Sequence, residues 1–473
     1  MTRTPCKLRF PEGGFRKRFT GPEWKTNNLG LDIIQMRKIL AMVFCLFTLG
    51  TLGLYAQQGK AIEIHSVMDA IEKVLVANPS ILIYELQKEK AEKNYKIAKA
   101  HRLPTITGSA VGQRNINLAT TPLPGEIFGQ PGEVVNAQLG QEYNYNAGFY
   151  ISKNLFDWQL QMNTKLMQSN IDIAKLDLSS FKQKLKEETA LYYFSALIAR
   201  KALEINKQDL KIADSIMVLT QQKFSAGLLD KINVNQAAMN YYLIKQTIGS
   251  SEQMLNTYLN ELHILLGRQV NETTKLTETI EFAPSPVTTV SLKESMSVKM
   301  AWLHKEHSLL QIKTQKGSYY PKLTANSYLG QQQYRDNFGL TFSGGDWTDY
   351  RYLNLNISIP IFTGFTNKNK VKISKLDAEI ALHNYEIEKE KGLLNDRVLL
   401  KNYETSLEGL QSSFEHYQLN RENTALTLQQ YNEGLIGLDM YFKSFEDYLK
   451  SQNNYLNTLS STYIYYASIL SRQ

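Results

Sequence analysis

From Asp157 to Lys223 the chain contains neither proline nor glycine, and that stretch limits what the rest can become. Those two residues are the usual breakers of a helix. An uninterrupted helix of about 67 residues, rising 1.5 Å per residue, extends roughly 100 Å, far beyond the ~30 Å diameter of a small domain. Such a rod cannot wrap around a compact core and must pack lengthwise on other helices. Its apolar residues agree: Ile171, Leu178, Leu185, Tyr192, Ala199 and Ala213 fall in one heptad column, interrupted by Asn206. A second rod is expected from Thr366 to Tyr431, where no proline occurs. On heptads alone an ordinary coiled coil is the simpler reading.

The segments that lead into the rods argue against it. In YLNLNISIPIF, from Tyr352, the residues Leu353, Leu355, Ile357, Ile359 and Ile361 alternate with Asn354, Asn356 and Ser358, the period-two pattern of a strand with one apolar face. YNYNAGFYISKNLF, from Tyr143, repeats the pattern ahead of the first rod. It sets Tyr143, Tyr145, Ala147, Phe149, Ile151 and Leu155 against Asn144, Asn146, Ser152 and Asn154. A weaker strand precedes each, LPTITGSAVGQ from Leu103 and YPKLTANSYLGQ from Tyr320, each starting beside a proline, Pro104 or Pro321. The intervening segments, 115–142 and 332–350, read as turn-rich loops.

The repeat continues beyond the rods. KFSAGLLDKINVNQA from Lys223 aligns with QYNEGLIGLDMYFKS from Gln430, pairing Phe224 with Tyr431, Gly227 with Gly434, Leu228 with Leu435 and Leu229 with Ile436. A return helix follows each turn. One unit of helix, strand, loop, strand, long helix, glycine turn and return helix is therefore used twice. The first copy occupies 57–268, with strands 103–113 and 143–156 and a long helix 157–223. The second occupies 291–473, with strands 320–331 and 352–362 and a long helix 366–431. A threonine-rich linker, 269–290, joins them.

The formal charge of +8 suggests an acidic partner until its location is read. Residues 1–35 hold Arg3, Lys7, Arg9, Arg16, Lys17, Arg18 and Lys25 against Glu12, Glu23 and Asp32, and Arg37 and Lys38 follow. They introduce the apolar run ILAMVFCLFTLGTLGLYA, so 36–56 reads as a signal peptide cleaved after Ala56, and 1–35 as a mis-assigned start or a disordered arm. The remaining chain carries only a small excess of positive charge and neither Cys6 nor Cys45, which removes the case for nucleic-acid binding and for disulfide or thiol chemistry.

Strands of ten to twelve residues with one apolar and one Asn/Ser face have the length and alternation of transmembrane β-strands, about 9–11 residues each. Tyr143, Tyr145, Tyr150, Tyr328, Tyr334, Tyr350 and Tyr352 cluster on them as an aromatic interface belt requires. Four strands cannot close a barrel, and an open edge in lipid costs several kcal/mol per unpaired backbone group. Copies of the chain must close it: two give eight strands and a filled barrel, three give twelve and room for a lumen.

The tandem repeat, the strand-to-helix junctions NLFDW and PIFTGF, and the paired Phe/Tyr-x-x-Gly-Leu turns resemble the outer-membrane efflux proteins typified by TolC, over about Ile62 to Ser471. The resemblance implies a mainly α fold with a membrane β-barrel portion. Long antiparallel helices would form a periplasmic α-barrel, and four strands per protomer would contribute to a twelve-stranded trimeric barrel. It also implies a homotrimer in the outer membrane of a Gram-negative bacterium, in contact with outer-membrane lipid and extending into the periplasm. A periplasmic adaptor and an inner-membrane pump of the RND or ABC type would complete the export system.

By the same resemblance the glycine turns are adaptor-docking tips, comprising Phe224, Gly227, Leu228 and Leu229 with Tyr431, Gly434, Leu435 and Ile436. Asp230 and Asp439 are the candidates for an acidic periplasmic aperture, with Lys443 standing where an acid is expected. Read from the residues alone, each glycine also serves as an ordinary helix stop and each aspartate as a helix N-terminal carboxylate. His304 and His307 have i, i+3 spacing but no third ligand, so no metal is assigned. No phosphate cradle, nucleophile elbow or paired-carboxylate site is found, so no cofactor or enzymatic activity is expected. The reading from another class is a periplasmic coiled-coil scaffold or tether whose strands form a soluble sheet.

Overall fold

The computed structural model describes residues 62–267, 274–280, 282–284, 293–343 and 345–472. The arm at 1–35, the signal peptide expected at 36–56 and part of the linker at 269–290 lie outside the described residues. In chain order the first half runs β1 (Ile62–Ile64), α1 (Val67–Ala77), α2 (Pro79–Ala100), β2 (Thr105–Arg114), β3 (Thr120–Pro124), β4 (Val134–Gln138), β5 (Tyr143–Phe156), α3 (Trp158–Ser225) and α4 (Lys231–Leu265). After β6 (Thr274–Leu276) the second half runs α5 (Met296–Lys316), β7 (Lys322–Arg335), β8 (Thr348–Ser358), α6 (Thr366–Asn432) and α7 (Leu438–Leu470). The two rods, α3 and α6, are 68 and 67 residues long.

Local chemistry sets where the helices start. Asn78 accepts from the Ser80 amide with Pro79 at the first helical position of α2, and its side-chain amide donates to the Leu265 carbonyl at 2.9 Å, tying the end of α4 to the α1–α2 corner. Asp157 caps α3 through the Leu160 amide at 3.1 Å and pairs with Lys322 at 3.3 Å, so one carboxylate fixes the strand-to-helix junction and clamps β7 to it. At the matching junction in the second half, Gly364 and Phe365 both take positive φ, 58° and 62°. Phenylalanine there stores about 1–2 kcal/mol of backbone strain.

The core runs lengthwise between rods. Leu185, Tyr193 and Leu197 of α3, Leu410 and Tyr417 of α6, and Tyr455, Leu459 and Tyr463 of α7 are buried in one continuous cluster. Tyr417 stacks on Tyr455 and Tyr448, with centroids at 5.4 and 5.8 Å. The heptad column of α3 is buried at Ile171, Leu185, Ala199 and Ala213, and Leu185 and Ala213 join this cluster. Asn206, which interrupts it, is buried too, because its amide donates to Ser251 at 3.0 Å and its carbonyl accepts from Gln452 at 2.9 Å.

Four strands form one antiparallel sheet in the order β2-β5-β7-β8. The segment 115–142, expected as a loop, carries the β3–β4 hairpin, which accommodates Pro122 and Pro124 because a two-stranded ribbon is all edge.

Residues paired across strands share a face, so the register sorts every side chain. One face carries Ile106, Phe149, Ile151, Leu323, Leu329, Leu353, Leu355 and Ile357. The other carries Asn144, Asn146, Ser152, Asn326, Asn354 and Asn356. Ion pairs of Arg114 with Glu142 and Arg351 with Asp349 stand at the loop end of the sheet. The tyrosines depart from the belt expectation. Tyr143 and Tyr145 stand with the apolar residues, but Tyr150, Tyr328, Tyr334, Tyr350 and Tyr352 occupy even positions and stand with the asparagines. Tyrosine count alone suggests a belt, and parity overrides it.

Candidate functional site

The two glycine turns are built alike, atom for atom. At the end of α3, Gly227 takes φ 73°, its amide donates to Phe224 O at 2.9 Å, and the Leu228 amide reaches back to Lys223 O at 2.9 Å. At the end of α6, Gly434 takes φ 76°, its amide donates to Tyr431 O at 3.1 Å, and the Leu435 amide reaches Gln430 O at 2.9 Å. The six-to-one bond with a left-handed residue before it is a Schellman stop. An added Cβ would meet nothing within 4 Å at either glycine, so the backbone angle rather than space demands glycine.

This geometry divides each apolar pair. Leu228 and Leu435 project from the turns, 71% and 70% exposed, whereas Leu229 and Ile436 turn inward and pack on the core. Phe224 is half-buried under the Lys231 ammonium at 5.6 Å from its ring centre. Tyr431 is fully buried, stacked on Tyr441 at 6.3 Å. Above it sits Lys223 of the other turn, its Nζ 4.0 Å from the ring centre. That cation–ring contact straps the two turns together and brings residues from opposite halves of the sequence to one end of the bundle.

Asp230 and Asp439 are both exposed at this end, but not at equivalent positions. Asp230 is the residue before α4, and its side chain makes no capping bond, the Asn233 amide going to its backbone carbonyl instead. Asp439 lies inside the first turn of α7, behind Gly437. Each carboxylate faces the positive end of a helix dipole.

A polar seam that the sequence reading missed runs up the bundle from the turns. Asp209 of α3, 1% exposed and about 27 Å along the rod from Gly227 by helical rise, accepts the Tyr448 hydroxyl of α7 at 2.9 Å. Its second oxygen has no hydrogen-bond partner. Burial lifts this carboxyl to about 6, outweighing the Tyr448 hydroxyl, the Gln452 amide and the field of Arg421, all of which favour the ionised form. A cavity of about 250 Å³ adjoins it, lined by Arg421, Thr424 and Leu428 of α6 and Tyr441 and Phe445 of α7. The only sequence signal was Asn206, one turn away in the heptad column.

His304 and His307 lie on α5. His307 is half-buried, its Nδ1 lacks a partner, and burial followed by the neighbouring His304 pushes it below the usual histidine range. Among the described residues no group of three His, Cys, Asp or Glu side chains is placed to hold a metal, and no helix is long and apolar enough to cross a membrane.

Comparison with known proteins adds three findings. Residues 70–268 match the family model of the outer membrane efflux protein. A curated relative, toxin and drug export protein A of Aggregatibacter actinomycetemcomitans, is 21% identical over 329 residues, which cover 67% of this chain and 66% of that protein, just under two thirds of the relative's length. Among solved structures, CusC superposes with a TM-score of 0.72 at 16% identity over 89% of this chain and 95% of that one. The Campylobacter jejuni CmeC outer membrane channel gives 0.70 at 16% identity over 89% and 90%. The open state of the Neisseria gonorrhoeae MtrE outer membrane channel gives 0.69 at 16% identity over 88% and 94%.

Proposed function

We propose that this chain, whose residues 70–268 match the outer membrane efflux protein family, is an outer-membrane channel of which three copies close one barrel and form a passive exit duct for cargo delivered from the inner membrane. One observation carries the reading. The apolar face of the sheet is bare along its rod-side part, with Leu353, Leu355 and Ile357 between 63% and 77% exposed, and the 338–341 loop covers only its loop end at Tyr143, Tyr145 and Gln333. Both of its outer strands, β2 and β8, have a bare edge.

An even number of antiparallel strands leaves those two edges running in opposite directions. The β8 edge of one copy therefore meets the β2 edge of the next in the antiparallel sense that all other neighbours keep, and a ring closes with no edge left in lipid. Three copies supply twelve strands, enough to leave an aqueous lumen behind the asparagine face. The rods carry the duct onward through the periplasm. At their far end Leu228 and Leu435, held out by the glycine turns and strapped by Lys223 and Tyr431, offer the small apolar contact that a periplasmic adaptor needs, and an inner-membrane pump supplies the energy. The scaffold reading requires a cover for the rod-side part of the apolar face, and the described chain supplies none there.

Two experiments test this. The wild-type protein is expected to stay with the outer membrane through an alkaline wash and to give single-channel steps in a planar bilayer; release by the wash with no steps refutes it. Gly227→Asp and Gly434→Asp are expected to abolish export while trimer and membrane insertion persist; normal export by both refutes the docking assignment.

A further inference from the structure

The asparagine face carries a row of aromatic rings that a water-filled lumen does not require. Tyr150 of β5 pairs directly with Tyr328 of β7, which pairs directly with Tyr352 of β8, so three tyrosines stand side by side across three strands. Tyr350 joins them from the adjacent position on the same face. The rings touch: Tyr328 lies 5.9 Å from Tyr352, nearly parallel at 17°, and 5.6 Å from Tyr350, and Tyr350 meets Tyr352 edge to face at 5.7 Å.

The wall is shaped to seat them. Gly148 and Gly330 face each other in the neighbouring row, and the hydroxyl end of Tyr328 reaches over both. A Cβ on Gly148 would come within 2.9 Å of the Tyr328 hydroxyl oxygen, and one on Gly330 within 2.7 Å of its ring. A glycine pair covered by a cross-strand aromatic ring is a recurrent way to keep a sheet both open and rigid. It leaves Tyr328 almost wholly buried, while Tyr150, Tyr350 and Tyr352 keep 36–41% of their surface free.

The same face lacks charge where the rings sit. Between Thr324 and Gln332 on β7 and between Thr348 and Ser358 on β8, the residues on it are Asn, Gln, Ser, Thr, Gly and Tyr. The charged residues of the sheet nearby, Lys153, Asp349 and Arg351, stand on the opposite face.

We propose that the tyrosine row is a binding site for planar aromatic cations, repeated in each copy as a collar inside the barrel. The inference rests on the trimeric-channel reading above. The face of a phenol ring carries negative quadrupole charge, which attracts a cation and stacks on a flat ring, and no ammonium or guanidinium beside the row repels the guest. Adjacent rings give a delocalised cation several equivalent resting places. The collar slows such a solute without trapping it.

The test uses the full-length protein in a planar bilayer, with ethidium added to the chamber on the sheet side and tetramethylammonium, which has charge but no ring, as the comparison. Wild type is expected to show ethidium block at lower concentration than tetramethylammonium block. The Tyr350→Leu, Tyr352→Leu double variant is expected to raise the half-blocking ethidium concentration by about threefold per ring removed, the scale of an exposed cation–ring contact. Open-channel conductance of the variant checks that the barrel is intact, and Tyr143→Leu, on the opposite face, is expected to leave block unchanged. Equal ethidium block in wild type and double variant at normal conductance overturns the collar and leaves the channel reading standing. Absence of any conductance in wild type overturns both.

Discussion

Asp209 offers a measurement whose sign is unusual for a carboxylate. Its native value of about 6 stands roughly 2 units above the ordinary 3.8, and at 1.36 kcal/mol per unit the buried ionised form is disfavoured by about 3 kcal/mol. Between pH 3.8 and 6 the native state holds more protons than the unfolded chain, so this group's contribution to stability falls as pH rises through that window and is fully lost above it. Asp209→Asn keeps an oxygen to accept the Tyr448 hydroxyl and cannot ionise. At pH 7.5 the variant is expected to be more stable than wild type by up to about 3 kcal/mol, and at pH 4 the two should be nearly equal. Guanidinium unfolding of the detergent-solubilised full chain, followed by helical circular dichroism at both pH values, reads the difference. Subtracting one protein from the other cancels the other carboxylates. A variant less stable than wild type at pH 7.5, or a difference that does not change with pH, refutes the assignment of a buried, costly charge.

Other perturbations reach other parts of the fold. Gly317 ends α5 against the start of α3, where an added Cβ would come within 2.7 Å of the Gln159 Cα. Gly317→Ala should therefore cost about 1–3 kcal/mol in thermal or denaturant unfolding. Leu355→Lys places a charge on the apolar face and should cost about 2–4 kcal/mol of membrane stability, seen as lost heat-resistant oligomer on gels, while Asn354→Lys on the other face should be tolerated. Gly227→Ala keeps the turn open but forces φ 73° on a residue with a Cβ, and about 1 kcal/mol of local stability should be lost, measurable as faster amide exchange at Leu228. Lys223→Met removes the cation over Tyr431 while keeping an apolar stem, and should raise exchange at both turns together rather than at one.

The large features were legible because they are written in local patterns. Missing helix breakers marked both rods, period-two alternation marked β5 and β8, and the duplicated Gly-Leu turns marked the two ends that the structure places side by side. What stayed hidden depends on partners far away in the chain. Asp209 meets a hydroxyl 239 residues along the sequence, and nothing near it marks the carboxylate as buried. The tyrosines and their parity were visible, but that Tyr150, Tyr328 and Tyr352 stand in one row follows from the register of β7 against its neighbours, and a shift of one residue would have dispersed them. The β3–β4 hairpin was missed because Pro122 and Pro124 read as breakers, and a ribbon with only edges has room for them. Leu229 and Ile436 looked as exposed as their neighbours until the left-handed glycine turned them inward.

The two bare strand edges also bear on how such a molecule is made. In the proposed three-copy barrel a lone copy, or a pair, would still present an unsealed seam to hydrocarbon, so partial rings would gain little and the last subunit to arrive would carry most of the stabilisation. Construction on that plan would be all-or-none and steeply dependent on local abundance. The rods can form beforehand, since each chain buries its own helical core. A weak rod would thus lower the supply of parts, whereas a damaged rim would halt the final step and leave well-folded pieces waiting outside the bilayer.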